Sequence, residues 1–156
     1  VIALVALVDA LLGYFGLFLG WIGASLDFIG LDVANLRLKD VFGLFFSLFA
    51  IVMGVPVSES FDVGSLMGTK MVINEFVAYS DLSPMIAKGV LSAKSVVIAS
   101  FALCGFANFS SIAIQIGGIG AMAPTRKADL ARLGFKAMIC GTMASYISAS
   151  LAGILM

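Results

Sequence analysis

Histidine is absent from the 156 residues, cysteine occurs twice, proline three times, and charged residues make up only 12%. Each scarcity removes a class of function. Without histidine there is neither the usual general base nor the commonest neutral metal ligand, so a histidine-based triad and a zinc site are excluded. Cys104 and Cys140 lie in apolar surroundings without CxxC or ligand spacing and are expected as free thiols. The charge is about half the roughly 25% of a soluble domain, too little to cover the surface of a chain this size unless lipid covers the rest. Nine basic against nine acidic residues leave no basic excess for nucleic acid, and a hydrophobic content of 62% excludes disorder. What remains for chemistry is hydrogen bonding, carboxylate charge and helix ends. No catalytic residue is expected, and the chain does not read as an enzyme.

What is present is a succession of apolar runs, which predicts an all-α, polytopic membrane protein. Val1 to Ala24 carries one charge, Asp9, and as a helix it would rise ~36 Å, enough for the ~30 Å hydrocarbon core. Asp9 is expected simply to reach the interface. Residues 27–40 hold five charges and read as an interfacial loop. Residues 41–55, ended by Pro56, are too short to cross comfortably and read as an interfacial helix. Residues 61–84 are moderately apolar but carry Lys70, Asn74 and Glu75 near the middle, so they do not cross bare lipid as a plain helix. Ser80 to Lys94 is expected as a loop with Pro84, and Ser92 as the cap of the next helix. Residues 95–123 read as a broken transmembrane helix, interrupted by Asn108, Ser110, Ser111 and Gln115 and loosened by Gly117, Gly118 and Gly120. Pro124 to Arg132 is the most basic connection and is expected on the cytoplasmic side. Residues 133–156 form a last span rich in small residues. The opening Val-Ile-Ala-Leu-Val has no initiator Met, basic region or cleavage site, so it reads as part of a longer protein rather than a signal peptide.

Two constellations could carry chemistry. Cys104, Asn108, Ser111 and Gln115 are spaced i, i+4, i+7 and i+11, which would give an unbroken helix one polar face at mid-membrane depth. Such a face needs a partner, because an unsatisfied amide in hydrocarbon costs several kcal/mol. The partner is either another helix or a polar ligand. Glu75 inside the membrane is a site hypothesis by default, with a structural ion pair to Lys70 as its bland competitor. Asn74 beside it offers one acceptor and two donors, enough for the hydroxyls of a polyol such as a ribose. Phe106 could lie against a planar ligand, although packing is the ordinary use of such a residue. The GxGxxA run from Gly118 to Ala123 lacks a following acidic residue at the dinucleotide distance, and Gly64 to Lys70 ends in Gly-Thr-Lys rather than the order of a phosphate loop. Neither supports nucleotide hydrolysis.

Gly68-Thr-Lys-Met-Val-Ile-Asn-Glu-Phe-Val-Ala-Tyr79, followed by Cys104-Gly-Phe-Ala-Asn-Phe-Ser-Ser-Ile-Ala-Ile-Gln-Ile-Gly-Gly-Ile-Gly120, resembles the C-terminal half of concentrative nucleoside transporters, closest to the bacterial members. Met53-Gly-Val-Pro56 and the stretch from Ala123 to Gly134 extend the similarity over essentially the whole chain. Val57 stands where an aromatic is common. The resemblance implies a homotrimer in the bacterial inner membrane and the second half of an inverted-repeat transporter. In that frame residues 1–27 are a scaffold-type helix, 41–55 an interfacial helix, 61–84 a re-entrant hairpin, 95–123 the broken helix and 133–156 the last span. It implies nucleoside import in symport with Na⁺, alternatively H⁺, without an organic cofactor. Carried over, Glu75 would accept hydrogen bonds from ribose hydroxyls, Asn108 and Ser111 would hold the sugar, and Phe106 would flank the nucleoside. Asn74 completes the candidate set. The ion ligands and base-reading residues belong to the absent first half. A polar-lined channel and a structural membrane subunit are the alternatives from other classes; a channel would not accumulate substrate, and a structural subunit would tolerate Glu75→Gln without loss of uptake.

Overall fold

A computed structural model describes residues 2–21 and 36–156, and every described element is helical. Helix α1 spans Ile2–Trp21, about 30 Å of rise. Helix α2 spans Leu38–Val52 and α3 spans Val57–Val72; α4 spans Glu75–Ala87 and α5 spans Ala93–Leu103. Helix α6 spans Phe109–Met122, and after a 3-10 turn at Pro124–Arg126, α7 runs over Lys127–Leu155. The part of the expected charged loop that contains Asp27 and Asp32 lies outside the described residues.

The start of α2 is held by two carboxylates. Asp40 Oδ2 accepts from Arg37 N at 3.0 Å, and Asp9 Oδ1, from α1, accepts from Leu38 N at 2.8 Å. Both satisfy N–H groups that a helix start leaves without partners, and both place negative charge at its positive end. Asp9 therefore does not simply reach for the interface: it joins α1 to α2. Because of these caps α2 begins at Leu38, inside the segment expected as loop, and it ends at Val52 rather than Val55.

Helices α2 and α3 cross at very close range through small residues. A methyl added at Gly64 would meet the Gly43 carbonyl and sit 2.6 Å from Ser47 N; one added at Gly68 would sit 2.9 Å from Phe42 Cβ. The pairs Gly43/Ser47 and Gly64/Gly68 are each four apart, the small-xxx-small spacing that lets backbones touch. Beneath this crossing lies the core. Val63 and Met67 of α3 pack with Ile98, Ala99, Ala102 and Leu103 of α5 and with Ala149 of α7, all fully buried.

Further boundaries differ from the sequence expectation. Pro84 does not end the hairpin: α4 continues through it to Ala87, on the exposed side of the helix. The stop is Gly89, at φ +65°, where Gly89 N donates to Ile86 O and Val90 N to Met85 O, each at 3.0 Å. That is a left-handed glycine cap, which uses up the last carbonyls. The connection is thus five residues, Lys88 to Ser92, and Ser92 caps α5 by accepting from Ser95 N. Similarly, Lys127 to Arg132 belongs to α7 rather than to a loop, with Arg126 Nε paired to Asp129 Oδ2 at 2.7 Å. The hairpin segment starts earlier than expected too, at Val57 directly after Pro56.

Among the described residues, the segment from Pro124 to Leu155 is long and apolar enough to cross a membrane alone; Val5–Trp21, α5 and α6 are apolar but shorter. Leu7, Leu11, Phe15 and Phe18 of α1 and Ile147, Leu151 and Ile154 of α7 are exposed. Contiguous apolar faces of that size do not stay in water; lipid or another protein surface covers them.

Candidate functional site

The segment 95–123 is broken where Cys104 ends α5 and Asn108 begins α6. Gly105 supplies the sharpest part of that break, at φ +125°, a conformation that L side chains rarely adopt. Consequently Cys104 does not share a helical face with Asn108, Ser111 and Gln115; the predicted four-residue stripe is cut after its first member. A second interruption, Ile73–Asn74, separates α3 from α4.

The two interruptions face each other. Asn74 and Asn108 are both N-caps: Asn74 Oδ1 accepts from Val77 N at 2.9 Å, and Asn108 Oδ1 accepts from Ser111 N at 2.8 Å and Ser111 Oγ at 3.0 Å. Asparagine is favoured there because its short amide can reach back to the second or third N–H of the helix. With its carbonyl so engaged, Asn108 turns its amide nitrogen outward and donates to Glu75 Oε2 at 2.9 Å. Ser110 Oγ adds a bond to Ile73 O at 3.0 Å. Glu75 is the first residue of α4, so its carboxylate lies at the positive end of its own helix and beside that of α6. Helix starts of this kind favour negative charge beside them.

Asn108, at 1% exposure, and Ser111 are buried, Glu75 and Asn74 are half-buried, and Phe106 is 76% exposed. The structure thus brings Glu75, Asn108 and Ser111 into one hydrogen-bonded chain. Asn74 is committed on its oxygen side to the α4 cap, and among the described residues its amide nitrogen has no hydrogen-bond partner. A cavity of about 330 Å³ between α6 and α7 is lined by Phe106, Asn108, Ser111 and Gln115 on one side and Met138 and Gly141 on the other. Glu75 and Asn74 do not line it. The volume falls at the lower end of the ~300–1,000 Å³ of small-molecule pockets.

Lys70 does not pair with Glu75. The break at Ile73 turns the chain between them, and Lys70 Nζ instead donates to Ala102 O, on the last turn of α5, at 2.8 Å. Sequence reasoning also missed Tyr79 and Ser145, whose hydroxyls donate to Ser100 O at 2.7 Å and Cys104 O at 2.8 Å. For Ser145 the signal was the break itself, since a helix end leaves carbonyls without N–H partners; for Tyr79, whose acceptor already receives Cys104 N, the sequence held none. Both cysteines are free and exposed, and among the described residues no cluster of acidic or thiol groups could hold a metal ion.

The chain matches known proteins over nearly its whole length. The family model described as Na⁺ dependent nucleoside transporter C-terminus matches residues 1–153. The transporter YutK of Bacillus subtilis is 46% identical over 154 residues, covering 98% of this chain and 34% of the relative. Solute carrier family 28 member 3 of Homo sapiens is 40% identical over 159 residues, covering 94% of the chain and 22% of the relative. The solved structure of CNTnw in an inward-facing substrate-bound state superposes with a TM-score of 0.81 at 44% identity, over 97% of this chain and 35% of that one. A CNTnw variant in an outward-facing state gives 0.80 at 42% identity, over 97% and 34%. The chain therefore spans about a third of the length of YutK and of these structures. With two facing helix starts, an all-helical fold and matches over nearly every residue, it belongs to the concentrative nucleoside transporter family and corresponds to its C-terminal half.

Proposed function

We propose that the full protein is a secondary active transporter that imports nucleosides in symport with Na⁺, with H⁺ as the alternative coupling ion, by alternating access. The observation that carries this reading is the hydrogen bond from Asn108 Nδ2 to Glu75 Oε2 across the two helix starts. Among the described residues it leaves Glu75 Oε1, the second N–H of Asn108 and the lone pairs of Ser111 Oγ available to a ligand. A carboxylate with one free oxygen beside a free amide donor suits vicinal hydroxyls, which donate to one group and accept from the other, and charge-assisted bonds are the stronger kind. Glu75, Asn108 and Ser111 would hold the ribose, Asn74 would add a donor at the rim, and Phe106 would flank the base. The matching family description names Na⁺ dependence, a Helicobacter pylori relative is named nucleoside permease NupC, and CNTnw has been solved in inward- and outward-facing states.

In this reading α1 is a scaffold span and α2 an interfacial helix. Helices α3 and α4 form a re-entrant hairpin with Glu75 at its tip, α5 and α6 form the broken helix, and α7 is the last span. The protein is a homotrimer in the bacterial inner membrane. Ion coupling needs no covalent chemistry; it requires only that ion and nucleoside favour the same conformation.

The test is uridine uptake by the full-length protein in sealed vesicles. Glu75→Gln and Asn108→Ala are expected to insert and assemble normally while losing nearly all uptake. Normal uptake by both variants would remove the site assignment.

A further inference from the structure

Where a helix stops inside a protein, the carbonyls of its last turn have no N–H to meet them and form the negative end of its dipole. At the end of α5 the carbonyls of Ala102 and Cys104 are in this position, while Ser100 O already accepts from Cys104 N at 3.2 Å; all three receive donors from other helices. Ser100 O takes Tyr79 Oη from α4, Ala102 O takes Lys70 Nζ from α3, and Cys104 O takes Ser145 Oγ from α7. Lys70 differs from the two hydroxyls. It is 2% exposed, and among the described residues its ammonium has no carboxylate within 4.0 Å; its acceptor is a neutral carbonyl. Removing a charge from water in this way is expensive and is retained where the charge has a use.

The use is visible in what Lys70 connects. From Lys70 the chain runs five residues to Glu75, and from Ala102 it runs six residues to Asn108. The Lys70–Ala102 bond and the Asn108–Glu75 bond therefore tie together the same two chain segments at opposite ends of their interruptions. Ser110 Oγ, two residues past Asn108, adds a bond to Ile73 O, inside the interruption between α3 and α4. Half-helix ends with unwound carbonyls are the places where membrane transporters bind a small cation, and here the cation is attached to the chain. We propose that Lys70 is a positioning residue for the nucleoside site: a tethered cation that fixes the end of α5 and so sets where Asn108 meets Glu75. This inference rests on the reading of Glu75 and Asn108 as sugar ligands.

The experiment measures uridine binding by calorimetry, together with the melting temperature, on the purified full-length transporter. Lys70→Met keeps most of the side chain's bulk and removes the charge; Tyr79→Phe and Ser145→Ala remove the two neutral ties at the same helix end. Lys70→Met is expected to weaken uridine binding about tenfold or more, the scale on which small misplacements of a binding group are felt. The neutral-tie variants are expected to lower the melting temperature with little loss of affinity. In Lys70→Ala, n-propylammonium is expected to restore part of the binding and n-propanol none. Unchanged affinity in folded Lys70→Met overturns the proposal, as does affinity loss that simply tracks melting temperature across all the variants, or equal effects of the amine and the alcohol. If Lys70→Met does not fold, Lys70→Gln, which keeps a donor without the charge, takes its place under the same criteria. Glu75→Gln is measured alongside. If it binds uridine normally, the sugar-site reading fails and this inference with it; if it loses binding while Lys70→Met keeps it, only the role of Lys70 fails.

Discussion

Asn108 uses both ends of one amide. Its oxygen closes the start of α6 and its nitrogen reaches Glu75, so substitutions can separate folding from binding. Serine is as good an N-cap as asparagine but too short to reach Glu75, whereas alanine does neither. Asn108→Ala should therefore cost about 1 kcal/mol more stability than Asn108→Ser. Both should weaken uridine binding about tenfold or more, because each loses a hydrogen bond to a charged group. Chemical unfolding and calorimetry on the same preparations check the two halves of the prediction. At this scale the sequence was informative about Glu75, Asn108 and Ser111, since polar groups in a run of apolar residues demand a reason. The competing reading, an ion pair from Glu75 to Lys70, is not what forms: Ile73 sits outside helical geometry, at φ −106° and ψ −86°, and the two side chains take different partners.

At the scale of elements, the crossing of α2 and α3 sets the strictest limit. Gly64→Ala places a methyl against the backbone of Gly43 and Ser47, where no flexible side chain can yield, and overpacking of this kind costs about 1–3 kcal/mol. A lowered melting temperature with the hairpin's helical content unchanged is the expected result. The other end of α3 offers a pH-dependent contact. Glu59 Oε2 accepts from Ser92 N at 3.0 Å and Ser92 Oγ at 2.9 Å, tying the start of α3 to the start of α5. Hydrogen bonding, from Ser95 first and then from the backbone N–H of Ser92, holds its pKa below the ordinary 4.5. A carboxylate depressed in the folded state contributes its stabilisation above pH 4.5 and loses it as pH falls through the lower folded value. Glu59→Gln should therefore melt lower than the parent at neutral pH, with the difference shrinking under more acidic conditions; thermal scans across that range check it. The existence of the helices was legible from apolar runs, and the break before α6 from its polar interruptions. The ends were not, because Pro84 looks like a stop while Gly89 performs it. The glycines at 64 and 68, whose Gly-Thr-Lys ending had already excluded a phosphate loop, serve helix contact through their spacing.

At the scale of the whole molecule, the apolar faces of α1 and α7 and the scarcity of charge point to the same conclusion as the family match: an integral membrane protein. Coupling is a property of the complete transporter and is tested there. Uridine accumulation in vesicles should follow an imposed inward Na⁺ gradient and collapse when an ionophore dissipates it, because an ion can drive transport only through the conformation it favours. A gradient of H⁺ that drives uptake without Na⁺ would assign the coupling to protons instead.

The α2–α3 crossing has a mechanical consequence. Where peptide groups lie flush against one another with no side chains between them, there is no soft layer to shear, so the two helices travel as a single rod. A spin label on an exposed residue of α2, such as Leu48, then reports any displacement of α3 without touching Glu75, Asn108 or Ser111.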